Sequence, residues 1–174
     1  MKILKNPILY IIIFLLAFIA IIGFLLLNAF TNIPNEISAE QMSNVLIAKG
    51  FSPKNAVDNA DESLLKSGLI NCIIAEKDDI KFEFYDFDNN EGALKTYREA
   101  HNLIIRTRMG VPRIQIKTGK IGYKLYTLNS EGTYSVAIYV KNTAIYAYCN
   151  SANKHLIYDL LNEIGYIQSK KDNS

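Results

Sequence analysis

Chemistry-bearing residues are scarce in this chain. It has two histidines and two cysteines among 174 residues. His101 and His155 have no histidine at i+4 and no cysteine at metal-ligand spacing, so both read as packing or surface residues. No nucleophile-elbow string sets a Ser or Cys beside a base, which removes the usual signature of acyl transfer. Lys117-Thr118-Gly119-Lys120 has the ending of a phosphate loop without its upstream glycine. It falls between two predicted strands and reads as a turn. Cys72 and Cys149 are too few for a disulfide framework. A Cys72–Cys149 bridge stands as one option, against two small apolar residues in neighbouring strands. Asn-x-Ser/Thr does not occur, and no cysteine directly follows the first apolar run as a lipid-attachment box would need. Catalytic, cofactor-binding and metal residues are therefore all expected to be none.

What is present begins with hydrophobicity. Ile8 to Ala29 departs from apolar types only at Gly23 and Asn28. At about 1.5 Å per residue such a run reaches ~33 Å, near the thickness of a bilayer core. In lipid every backbone amide needs an internal partner, so a helix is expected there. A cleaved signal fits less well, because the run is long and Leu27-Asn28-Ala29 is a poor cleavage site. Lys2 and Lys5 precede the run, while residues 31–48 carry no Lys or Arg. Positive flanks collect in the cytoplasm. The expectation is a single-pass membrane protein held by an uncleaved signal-anchor, with its N-terminus in the cytoplasm. Its divisions are a cytoplasmic N-terminus at 1–7, an anchor at 8–30, a linker at 31–37, an extracytoplasmic domain at 38–168 and a disordered tail at 169–174. Without Lys2 and Lys5 the 19 basic residues become 17, against 17 acidic ones, which excludes an obvious nucleic-acid binder.

The rest of the chain reads as α+β. Ser38-Ala39-Glu40-Gln41 is a capping box opening a helix that Gly50 closes. Ser52-Pro53 opens a second helical stretch towards Lys66. Leu69–Ala75 and Lys81–Phe87 form a hairpin across Lys77-Asp78-Asp79, and Phe82 and Phe84 share one side with Lys81, Glu83 and Tyr85 on the other. Asp88-Asn89-Asn90 caps a helix with Leu94, Tyr97, His101, Ile104 and Ile105 on one side. Val111-Pro112 ends it. Strands at Arg113–Lys117, Gly122–Leu128, Thr133–Val140 and Ala144–Cys149 follow with short turns, which predicts an antiparallel meander. Asn150-Ser151 caps a last helix with Leu156, Ile157, Leu160, Leu161 and Ile164 on its apolar side. The expected fold is an N-terminal transmembrane helix followed by an antiparallel sheet with helices packed on one face. Hairpin-then-helix occurs at Leu69–Arg106 and again at Thr133–Ile164, so an internal duplication is an option.

The string Phe82-Glu83-Phe84-Tyr85-Asp86-Phe87 leading into an acidic cap, the stretch Tyr139 to Tyr146, and Ile164-Gly165-Tyr166 carry a resemblance. In these the chain resembles uncharacterised membrane-anchored or lipoprotein-type extracytoplasmic domains of low-GC Gram-positive bacteria. Its 25 Ile and 17 Asn fit an AT-rich genome of that kind. The resemblance carries no function across.

Three features bear on function. Asp86-Phe87-Asp88-Asn89-Asn90-Glu91-Gly92 spaces oxygens as a Ca²⁺ loop does, but its glycine is late and Tyr97 stands where a bidentate Glu belongs; a helix cap explains it. Charge falls in blocks: ten acids against three bases over 58–91, then eight bases against Glu99 over 95–124. Arg106, Arg108, Arg113 and Lys117 are the candidate surface for a partner or anion, an envelope protein or anionic polymer. Tyr123, Tyr126, Tyr134, Tyr139, Tyr146 and Tyr148 could line a peptide or sugar site if exposed together; sheet packing is the plainer reading. The leading expectation is a non-enzymatic binding or assembly module without cofactors. The alternative is a subunit of an envelope secretion or conjugation machine, with an envelope hydrolase behind it.

Overall fold

A computed structural model describes residues 7–30, 33–107 and 114–167. The chain divides into two compact units, Met1–Ile33 and Pro34–Ser174. The first holds helix α1 (Pro7–Phe30), whose side chains are described from Ile11 to Phe24 and are nearly all exposed. Among the described residues no helix is long and apolar enough to cross a membrane. This corrects the expected transmembrane anchor at 8–30. The single-pass localisation and the cytoplasmic-N-terminus orientation, both built on that anchor, are corrected with it.

The second unit is built on one antiparallel sheet of seven strands, ordered β1-β2-β3-β7-β6-β5-β4. Its elements are α2 (Ala39–Ala48), β1 (Lys54–Asn55), α3 (Glu62–Lys66), β2 (Leu69–Lys77), β3 (Ile80–Phe87), α4 (Asn90–Thr107), β4 (Ile114–Lys120), β5 (Tyr123–Ser130), β6 (Thr133–Val140), β7 (Thr143–Asn150) and α5 (Lys154–Glu163). The capping box is present: Gln41 N donates to Ser38 Oγ, and Ser38 N donates to Gln41 Oε1. The stretch after Pro53 is not one helix. Asn55 Oδ1 accepts from Val57 N, a local bond that offers the backbone an alternative to helix. Lys54 and Asn55 pair instead with Ile74 and Ile73 of β2. The meander has the expected strands with shifted turns. Thr118 to Lys120 continue β4, and the reversal comes at Ile121-Gly122, where Gly122 adopts φ 77°. Glu131-Gly132 and Lys141 also take positive φ, as two-residue hairpin turns between right-twisted strands require.

Helices cover both faces of the sheet, not one. Pairing registers place Ile73, Phe84, Ile145, Ile138 and Leu125 on one face, and Cys72, Tyr85, Ala144 and Tyr139 on the other. Helices α2 and α5 share the first face, where α2 meets β2 and β3 and α5 meets β7. Lys49 Nζ, at the end of α2, pairs with Glu163 of α5 at 2.6 Å. Met42, Leu46, Ile157, Leu160 and Leu161 fill this side. Helix α4 lies on the second face, where Ala93, Tyr97, Ala100 and Ile104 pack on Cys72, Tyr126, Ala137 and Tyr139. The physical reason is legible in β6: residues 136–140 are all buried, because the strand is covered on both sides.

The same arrangement speaks against a symmetric duplication. An axis relating β3 to its antiparallel neighbour β7 stands normal to the sheet and keeps each face in place. It would put the helices after β3 and β7 on one face, whereas α4 and α5 lie on opposite faces.

Candidate functional site

The two faces close differently. On the α2/α5 face, Phe82, Phe84, Ile138 and Ile145 are essentially inaccessible. Tyr166 seals the end of that layer. Its hydroxyl lies 2.8 Å from Thr143 Oγ1 and accepts from Ile37 N at 3.2 Å, while its carbonyl accepts from Tyr123 Oη at 2.9 Å.

On the α4 face, α4 and the short α3 have more sheet beneath them than they cover. Alongside α4 an open groove of about 660 Å³ remains. Its floor comes from alternate residues of β3 and β7, namely Lys81, Glu83, Tyr85, Tyr146 and Tyr148. One wall is α4, through Thr96, Glu99, Ala100 and Leu103; Asp61 and Leu64 stand opposite, and the β5–β6 turn supplies Ser130 and Glu131. Strand periodicity places the floor: residues two apart face the same way, and the register sets Glu83 beside Tyr146 and Lys81 beside Tyr148.

The floor is tied together. Lys81 Nζ sits 2.9 Å from Glu83 Oε1, and Tyr85 Oη donates to Glu83 Oε2 at 2.7 Å. The bond to Glu83 holds the Lys81 ammonium above its ordinary pKa. Burial first, then the charge of Glu83, pushes the Tyr85 phenol well up, so it stays protonated and donating. Tyr146 and Tyr148 rings meet at 5.6 Å between centroids, tilted 46°. Thr96 is 6% exposed, and its hydroxyl has no hydrogen-bond partner among the described residues. A buried, unsatisfied hydroxyl on the wall of a groove is a costly feature for a wall whose only task is packing.

The residues singled out from the sequence fall elsewhere. Arg106 is exposed in the last turn of α4, where a cation complements the helix dipole. Lys117 is exposed on the edge strand β4 opposite Tyr126. Arg108, Arg113 and the tail at 169–174 lie outside the described residues. Cys72 and Cys149 are both free and buried, on opposite faces of the sheet with β3 between their strands, so the Cys72–Cys149 bridge is corrected. Burial pushes each thiol up to about 11. In the Asp86–Gly92 string Asn89 Oδ1 caps α4 by accepting from Gly92 N. Among the described residues no cluster of His, Cys, Asp and Glu could hold a metal ion. His101 stacks on Tyr97 and meets the edge of Tyr126. The tyrosines form no single row: Tyr123, Tyr126 and Tyr139 are buried, and Tyr146 and Tyr148 sit half-buried in the groove.

The groove itself was missed by the sequence reading. The signal was the side of β3 carrying Lys81, Glu83 and Tyr85, which is too polar for a packed layer and pairs with alternating tyrosines in β7.

No family model matches the chain, and no curated protein matches it. One solved structure, titled as that of a GTP binding regulator from Thermotoga maritima, is similar at 15% identity with a TM-score of 0.43. The match covers 74% of this chain and 89% of that one. A likeness at that level carries no argument about function.

Proposed function

We propose that the Pro34–Ser174 unit is a non-enzymatic binding module and that the groove beside α4 is where it binds. The observation that carries this is the pairing of an open concavity with a buried, partnerless hydroxyl, Thr96 Oγ1, on its wall. The volume falls within the range of about 300–1,000 Å³ typical of small-ligand sites. The central carboxylate favours contact over turnover, because both oxygens of Glu83 are already engaged, by Lys81 and Tyr85. A general acid or base needs a carboxyl free to exchange its proton with substrate.

The test is chemical-shift mapping of the full chain, held in a nonionic detergent, against a panel of amines, sugars, short peptides and carboxylates. Shifts gathered on Thr96, Tyr146 and Tyr148 are the expected result. A panel that leaves those resonances unmoved, or a compound converted to product, would sink the reading.

A further inference from the structure

We infer that the groove selects an organic cation, a primary ammonium or guanidinium on an apolar stem; this rests on the reading of the groove as a binding site. Among the described residues four carboxylates line it, Asp61, Glu83, Glu99 and Glu131, against the one ammonium of Lys81. Lys81 is spent on Glu83 at 2.9 Å, so the cation on the floor is already neutralised. Asp61, Glu99 and Glu131 stand exposed at the rim, on three separate elements, and leave the concavity with an excess of negative charge.

The tyrosine floor points the same way. Aromatic faces carry the negative end of a quadrupole and attract cations within about 6 Å. Tyr146 and Tyr148 are tilted against each other rather than stacked, which leaves ring surface turned to the groove. Leu103, 45% exposed, and Ala100 on α4 offer apolar contact for a methylene stem. Thr96 lines the wall with a buried hydroxyl that has no partner among the described residues, an acceptor left for an N–H donor only where the wall gives way to it. An anion would meet the reverse of each of these: repelling carboxylates, repelling ring faces and an ammonium already taken.

The ammonium can come from a free amine or from a lysine side chain, and two arms separate the sources. Spermidine and a short lysine-rich peptide are titrated into the full chain in nonionic detergent, followed by calorimetry and by the Thr96, Tyr146 and Tyr148 resonances. Saturable one-to-one binding of either is expected, weakened several-fold between 50 and 500 mM salt. Spermidine binding assigns the free amine; binding of the peptide alone assigns a protein side chain. The double variant Glu99→Gln/Glu131→Gln is expected to lose about tenfold or more in affinity, as charge-assisted bonds of ordinary strength imply. Glu40→Gln on α2 removes a carboxylate away from the groove and is expected to change nothing. Thr96→Val keeps the side-chain shape, and circular dichroism checks its fold; it too is expected to bind the amine more weakly. Equal binding of an uncharged diol of matching length overturns the cation assignment and leaves the groove as a binding site. Failure of every probe, charged or not, to move the groove resonances overturns both.

Discussion

The two faces of one sheet have solved the same covering problem to different extents. The side under α2 and α5 is closed by two helices and by Tyr166, and its strand residues are almost wholly buried. The side under α4 is covered by α4 over β6 and β7 and by the short α3 over β2, and a strip between them over β3 and β7 stays open. Covered strip and open strip share the same strands, so backbone geometry does not separate them. Side-chain chemistry does: Phe82 and Phe84 point one way, Lys81, Glu83 and Tyr85 the other. Both faces hold buried core residues, and on the open strip the floor is polar.

The sharpest way to break that contrast is Leu160→Asp. Leu160 is 1% exposed in the closed layer, and an unpaired carboxylate there costs several kcal/mol, comparable with a small domain's whole stability of about 5–15 kcal/mol. Loss of cooperative melting by circular dichroism is expected; an unchanged melt would mean that α5 does not seal this face.

Next comes a matched pair across the sheet. Phe84→Ala on the closed face is expected to cost about 3–5 kcal/mol. Tyr148→Ala, half-buried on the groove floor, is expected to stay below about 1 kcal/mol. Denaturant unfolding of both variants decides it, and equal losses would show that the groove floor is core after all.

A smaller effect is expected from Tyr166→Phe, which keeps the ring and removes the hydroxyl shared by Thr143 and Ile37. Thr143 Oγ1 keeps a bond to Val140 O at 2.9 Å, so the loss should be about 1–2 kcal/mol. A denaturation midpoint equal to wild type would mean that these bonds contribute nothing net.

The smallest effect is a pH response on the α4 side. Burial, then the charge of Lys117, holds the His101 pKa below its ordinary 6.5. The unfolded chain therefore takes up the proton first as pH falls. The domain loses stability from about pH 6.5 down to the folded pKa, and gains nothing further above that window. His101→Phe keeps the ring contacts with Tyr97 and Tyr126 and should flatten that part of the profile. Midpoints of wild type and variant at pH 7.5 and 5 test this; a constant difference between them would remove His101 as the cause.

How much was legible in the sequence varies by element. The Ser38–Gln41 box, the β2–β3 hairpin, the meander and the Asn89 cap were readable because each rests on local rules of turns and caps. The second helix was misread because Asn55 diverts the backbone after Pro53 and β2 supplies an edge to pair with. The one-sided sheet was misread although residues 136–140 form an unbroken apolar run, the mark of a strand covered twice. The side of α4 was read a little out of rotation. Ala93 and Ala100 are buried where Leu94 and Ile105 were expected, because small residues let the helix sit close to the sheet. The groove depends on which residues of β3 and β7 become neighbours across some sixty positions of sequence, and no local rule sets that pairing.

The bonds around Tyr166 also set the geometry of attachment. Ile37 N reaches the Tyr166 hydroxyl, and Glu36 Oε2 accepts from Asn142 N at 3.2 Å, so the two ends of the described part of this unit lie side by side. Both ends gather near the β6–β7 turn. The groove extends to the β5–β6 turn at the other end of the strands, roughly 23 Å away along an eight-residue strand at ~3.3 Å per residue. The unit thus has an attachment pole and a presenting pole.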